Sequence, residues 1–199
     1  MTDEPPLQIR DPRVLRALAH PARLAILDAL GTGQQGTATQ FAEVVGLSPS
    51  ATSYHLRALA RYGLVEEAPS RGDGRERVWQ RRAGTSGVTF DPDHDDPPEV
   101  WEAGRVLIDA VLARDDALAR RWAATADNDD PQWSHVSRIS KSHILVTAEE
   151  LEKINEEFDE LIKPYSFLRR LNAPEGARPV AVNYRTFPTD KLAPPDVKQ

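Results

Sequence analysis

Leu47-Ser48-Pro49-Ser50-Ala51-Thr52-Ser53-Tyr54-His55-Leu56-Arg57-Ala58-Leu59 is the run on which the fold turns. Ser48 offers an oxygen to the first free amides of a helix, and Pro49 suits the first helical position because it has no N–H to leave unpaired. A helix from Pro49 to Tyr62 then sorts its residues into two faces. Thr52, Leu56 and Leu59 share one; Ser50, Ser53, Tyr54, Arg57 and Arg61 fall on or near the other. His55 lies at the boundary, where a structural role is its ordinary reading. The first face needs a core, while the second is polar and cationic, with a small N-terminal end that permits close approach.

The flanks supply that core. Upstream, Thr37–Val45 reads as a short helix with Phe41, Ala42, Val44 and Val45 as bracing residues, and Gly46 suits a left-handed helix end. Further back, Asp11-Pro12 and His20-Pro21 each open a helix. The first carries Val14, Leu15 and Leu18; the second carries Leu24, Ile26, Leu27 and Leu30. His20 before Pro21 reads as a structural junction. Gly31, Gly33 and Gly36 make a loop, and no Gly-Lys-Ser/Thr follows that would make it a phosphate cradle. Downstream, Leu64–Ala68 and Glu76–Arg82 read as two strands of a hairpin, with Val78 and Trp79 in the second and a basic tip between Pro69 and Gly74.

Two short helices, the second amphipathic with a polar outward face, followed by a basic hairpin, have the layout of a winged helix-turn-helix. The DNA major groove is about 12 Å wide and admits one helix of this kind. The residues also resemble a known family. Leu18-Ala19-His20-Pro21-Ala22-Arg23-Leu24-Ala25-Ile26-Leu27 is similar to the opening signature of the ArsR family of bacterial repressors. The Leu47–Leu59 run resembles its recognition helix, and Gly63-Leu64-Val65 its turn into the wing. The resemblance covers about 70 residues. It implies a homodimer on an inverted-repeat DNA operator, usually a repressor released by an effector. It further implies that Ser50, Ser53 and Tyr54 face bases, that Arg57 meets a base or phosphate with Arg61 nearby, and that Arg71, Arg75 and Arg77 of the wing reach the backbone or minor groove. Taken singly, these arginines would pass for solvated surface; their joint occurrence with a brace helix favours the interface.

The chain departs from family members that sense metals. The brace segment Gln40-Phe41-Ala42-Glu43-Val44 has no Cys, and the whole chain has none, which excludes thiolate sensing and disulfides. The long helix expected at Glu99–Thr125 contains no His. Asp91, Asp93, Asp95, Glu99 and Glu102 mimic the spacing of a calcium loop, but position six is Asp96 rather than Gly, and Pro97-Pro98 stiffen the turn. An acidic linker is therefore the expectation. His135 and His143 lack an evident third ligand. No metal site, cofactor or catalytic group is expected: nucleophile–base motifs and nucleotide loops are absent, so the chain does not read as an enzyme.

Net charge is −6, which looks wrong for a partner of DNA. Its distribution matters more. Residues 1–84 hold 11 Arg against 9 Asp/Glu, while the remainder holds 14 Lys/Arg against 22 Asp/Glu. No apolar run approaches the length of a membrane span. Met1–Pro6 lacks the basic start of a signal peptide, which favours a cytoplasmic location.

Beyond the hairpin, the expected organisation is an acidic Pro-rich linker at 85–98, a long dimerisation helix at 99–126, and a strand–helix–strand region at 127–188. A loose tail follows at 189–199. The long helix carries Val100, Trp101, Val106, Leu107, Ile108, Val111, Leu112, Leu118 and Trp122 around much of its girth. In the last third, Val136–Val146 is strand-like, best at Ile144-Leu145-Val146. Thr147-Ala148-Glu149-Glu150 is a capping box. Leu151, Ile154, Phe158, Leu161, Ile162 and Tyr165 then give an amphipathic helix. Pro179–Phe187 reads as a second strand with Val180, Val182 and Tyr184 on one face. This region would extend a dimer interface, hold a ligand, or both; Trp101, Trp122, Trp133 and Tyr165 are the candidates for an effector pocket.

The expected fold is thus mainly α with small β: a winged helix-turn-helix domain over 10–84, a long dimerisation helix and a C-terminal β-α-β segment. The expected function is sequence-specific transcription regulation with double-stranded DNA, a second copy and a small-molecule effector as partners. The competing reading is a winged helix that serves protein interaction without DNA binding.

Overall fold

The structure, a computed structural model, describes residues 9–69, 77–82, 90, 92–166, 170 and 172–189. Its elements are α1 (Pro12–Leu18), α2 (Pro21–Gly31), β1 (Gly36–Thr37), α3 (Ala38–Val45), α4 (Pro49–Arg61), β2 (Val65–Glu67), β3 (Val78–Arg81), α5 (Pro98–Ala123), α6 (Pro131–Ser134) and α7 (Ala148–Ile162). Single 3-10 turns lie at Ala126–Asn128 and Lys163–Tyr165. The chain is mainly helical with one small antiparallel sheet, as expected, and no helix among the described residues is long and apolar enough to cross a membrane.

The helix starts follow from their caps. Asp11 accepts from the Arg13 amide, Ser48 from that of Ala51, and Thr37 and Thr147 each form a reciprocal capping box, with Gln40 and Glu150. His20 also caps: its Nδ1 accepts from the Ala22 amide at 3.1 Å. Gly46, at φ 68° and ψ 33°, ends α3 in the left-handed region that an L side chain resists, and so makes the turn between α3 and α4.

One core binds α1 to α5. Leu15, Leu18, Ile26, Leu30, Phe41, Leu56 and Leu59 are almost wholly buried, and Leu64, Val65 and Trp79 close the core from the sheet side. Each such side chain contributes about 1.5–3 kcal/mol relative to exposure. The first half of α5 joins through Val100, Ala103 and Leu107 against α1. Phe90 fits over Gly104, where a β-carbon would come within 1.9 Å of the ring. Two ion pairs fasten α5 to the domain, Arg16 to Glu102 and Arg114 to Asp28. The sheet has the order β1-β3-β2, with Trp79 of the central strand opposite both Gly36 and Glu67. The two-residue β1 carries no strand signal in sequence, where Gly36 reads as loop; it exists because β3 offers a partner to Gly36 and Thr37.

The acidic turn before α5 is a structural joint. Asp96 accepts from the Asp93 amide, and Arg10 reaches both Asp93 and Asp96, at 3.8 and 3.3 Å. No group of three or more metal-binding side chains occurs among the described residues.

The C-terminal region differs from expectation. Its helix and capping box are present, but the flanking strands are not: residues 138–146 and 178–189 are without regular structure, and no backbone–backbone hydrogen bond involves them among the described residues. Apolar alternation signals strand-like chain, but a strand exists only where a neighbour completes its ladder, and a single copy supplies none. Among the described residues none after Leu107 is buried. In α5, Val100, Ala103 and Leu107 are covered, while Val106, Ile108, Leu112 and Leu118 stay exposed at positions spread round the helix, with only Ile108 and Leu112 one turn apart on a shared side.

Candidate nucleic-acid interface

The helix α4 divides as its sequence predicts. Thr52, Leu56, Ala58 and Leu59 are buried, and His55 joins them with 8% exposure. Thr52, a polar residue in the core, satisfies its hydroxyl by donating to the Ser48 carbonyl at 3.0 Å. The brace helix α3 buries Phe41 and Ala42 and half-buries Val45, while Val44 faces outward, contrary to its reading as a bracing residue. In an eight-residue helix the contact stripe is too narrow to include it.

The opposite face stands clear. Ser50, Tyr54, Arg57 and Arg61 are exposed and Ser53 is half-exposed. The Ser50 hydroxyl lies 3.0 Å from that of Ser48, and Arg57 Nη2 donates to Ser53 Oγ at 2.8 Å. Neither Arg57 nor Arg61 makes an ion pair among the described residues, so both guanidinium groups remain available to an anion.

The sheet forms the second wall. A groove of about 600 Å³ runs between α4 and the hairpin, lined by Tyr54, Arg57, Arg61, Glu67, Arg77 and Trp79. It continues past Ser53 to Thr37 and Thr39 at the start of α3. Arg77 is held by Glu67, its Nη1 at 2.9 Å from Oε1. Thr39 has no signal of its own in the sequence: it becomes part of the groove only because the first turn of α3 lies beside Ser53 and Arg57 of α4. Arg71 and Arg75, named as wing contacts, lie outside the described residues.

Behind the ridge sits a histidine pair. The rings of His20 and His55 are 4.4 Å apart, and Tyr54 meets His55 edge-on at 5.5 Å. Arg23 Nε donates to His55 Nδ1 at 3.4 Å and Arg23 Nη1 to the Ala17 carbonyl at 2.7 Å. Burial, and then the His20 ring and the Arg23 charge, push the His55 imidazole below its ordinary value.

Residues 18–68 match the family model described as a helix-turn-helix domain. These residues run from the end of α1 through β2 and contain the whole outward ridge of α4. Over 53 residues the chain is 40% identical to the HTH-type transcriptional regulator YgaV of Escherichia coli (strain K12), a match that takes in 27% of this chain. The chain spans about half the length of that relative, 54%. Among solved structures it is similar to Lactococcus lactis ZitR, the C30AH42A mutant in apo form, at 18% identity and TM-score 0.34, over 74% of this chain and 84% of that one. It is also similar to a transcriptional regulator homologue from Pyrococcus horikoshii OT3 at 24% identity and TM-score 0.33, over 51% and 87%.

Three of the four aromatic residues named for an effector pocket have separate partners. Trp101 meets Phe90 edge-on at 6.4 Å, Trp133 lies under the Arg178 guanidinium, and Tyr165 under that of Arg170; Trp122 is half-buried on α5. Neither part of the groove described above includes any of them.

Proposed function

We propose that this chain is a sequence-specific DNA-binding transcription regulator of the ArsR type, acting as a homodimeric repressor on an inverted repeat. The observation that carries the reading is the ridge of α4: five polar or cationic side chains turned outward on a helix whose other face is sealed in the core. Ser50, Ser53 and Tyr54 are suited to base edges, Arg57 to a guanine edge or phosphate, and Arg61 and Arg77 to the backbone flanking the groove. Arg71 and Arg75 extend that cationic set in sequence. The positive excess of residues 1–84 supplies the field, and the acidic remainder keeps the rest of the molecule away from the duplex.

In this reading the exposed apolar residues of α5 and the C-terminal region provide the two-fold contact. A two-fold dimer sets its ridges about one DNA turn apart, near 34 Å. An effector bound against Trp101, Trp122, Trp133 or Tyr165 would act by moving that spacing; with no Cys in the chain, it is not a thiolate-bound metal. The cytoplasm is where such a regulator works. The experiment is a gel shift of the full chain with genomic fragments at moderate salt. Retention of a discrete subset against excess unrelated DNA is the expected result; no retention, or equal retention of every fragment, overturns it.

A further inference from the structure

From residue 108 to residue 189, no described side chain is buried, yet the region is not featureless. The segment 178–187 is tied down at several points. Arg178 pairs with Asp129 at 2.8 Å and covers the Trp133 ring, and Arg185 pairs with Asp115 of α5 at 2.8 Å. Thr186 Oγ1 lies 3.1 Å from Asn155 Oδ1, and Tyr184 stacks on Phe158 of α7 at 3.9 Å. A segment fixed in this way still leaves its backbone unpaired and Val180, Val182 and Phe187 more than half exposed. A second segment, 138–146, shares the open backbone and the uncovered apolar side chains, though not the ties: it has no backbone partner among the described residues, Ile139 and Ile144 are largely exposed and Leu145 is fully so.

Apolar chain that has lost its freedom without gaining a cover is unfavourable, and extended chain with open N–H and C=O groups is a template for another strand. We infer that a second copy of this chain covers it: 138–146 and 178–187 stay on their own copy and pair with the same segments of the other, building across the two-fold axis the sheet that neither copy forms alone, with α7 packed on it. This deepens the two-fold assembly proposed above and rests on it. Three observations select a second copy. The same chain carries two segments with the same deficiency, which do not pair with each other, so an isologous contact satisfies both at once. The Arg185–Asp115 pair sets 178–187 against α5 one turn from the exposed Leu112, so the apolar side chains of the segment adjoin those that α5 leaves uncovered. The charges also complement: α7 holds seven Asp/Glu against one Lys, while Arg138 and Lys141 of the first segment are exposed and make no ion pair among the described residues.

The test uses the full chain without DNA. Sedimentation at micromolar concentration should show a dimer, and hydrogen exchange should show slowed amides in both 139–146 and 179–187. Leu145→Asp and Val182→Asp alter side chains that touch little within one copy. Each should weaken the dimer by about tenfold or more, as for a buried interface side chain, and release the protection of both segments while amides of α2 and α4 stay protected. A dimer whose two segments exchange freely, or whose dissociation ignores both substitutions, overturns the inference and leaves the DNA reading standing. A monomer removes the two-fold assembly as well. Free exchange in the pure protein that slows only when another protein is added assigns the surface to a different occupant and also overturns it. Failure to bind DNA touches none of these readouts.

Discussion

Arg57 donates from Nη2 to the Ser53 hydroxyl one helical turn earlier, at 2.8 Å, on the face of α4 turned away from the core. The contact holds a long side chain along the ridge, so less of its freedom is left to lose when an anion or a base edge arrives. Replacing Arg57 with Ala removes the donor fork and leaves the buried face untouched. Affinity for a selected duplex should fall by roughly 1–3 kcal/mol, with little change in thermal stability. Fluorescence anisotropy against selected and unrelated duplexes reads both effects. Unchanged discrimination would remove Arg57 from the base-reading set.

Arg77 belongs to a different class of contact. Its pairing with Glu67 is exposed, so it contributes little to stability and is readily exchanged for a phosphate. Arg77→Ala should weaken binding evenly across sequences and reduce the slope of log affinity against log salt by about one. Glu67→Gln, which frees the guanidinium, should strengthen binding to any duplex at low salt. Identical salt slopes for wild type and Arg77→Ala would place the wing away from the backbone.

His55 makes stability depend on pH. Burial holds His55 neutral in the folded chain, so its folded pKa lies below the 6.5 of the free side chain. On acidification the unfolded chain takes up the proton first, which favours unfolding. The His55 contribution is therefore complete above about pH 6.5 and is lost as the pH falls from there through the folded value. The melting temperature should drop between pH 7.5 and pH 5, and His55→Gln should flatten that drop. A wild-type profile no steeper than that of the variant would separate His55 from the effect.

Gly104 is required by Phe90. A β-carbon there would lie 1.9 Å from the ring, so Gly104→Ala must displace Phe90 from its seat against α5 and Trp101. The expected loss is about 1–3 kcal/mol, measured by denaturant unfolding. In a Phe90→Ala background the same change should be neutral or stabilising, because Ala is the better helix former by about 1 kcal/mol. Additive losses in the double variant would show that the contact does not set the cost.

The N-terminal half was legible because its signals are local. Asp11, Thr37 and Ser48 announce helix starts that the structure keeps, as Thr147 does farther along the chain, and the two faces of α4 follow from spacing alone. Thr39 and the Glu67–Arg77 pair escaped because they depend on how α3, α4 and the hairpin approach one another, which no window of sequence contains. The strands expected at 136–146 and 179–187 show the opposite failure. Val180, Val182 and Tyr184 alternate as a strand should, but pairing is a property of neighbours, and one copy has none to offer. The aromatic residues of the last two-thirds were grouped by type; the structure gives Trp101, Trp133 and Tyr165 separate neighbours.

The central claim is that the ridge from Ser50 to Arg61 enters the major groove. Hydroxyl-radical footprinting of the full chain on a fragment selected from genomic DNA tests it most directly. Two protected patches centred about one helical turn apart, both lost with Arg57→Ala at a concentration that saturates the wild type, are the predicted result. A uniform or absent footprint, or one that Arg57→Ala leaves unchanged, would contradict it.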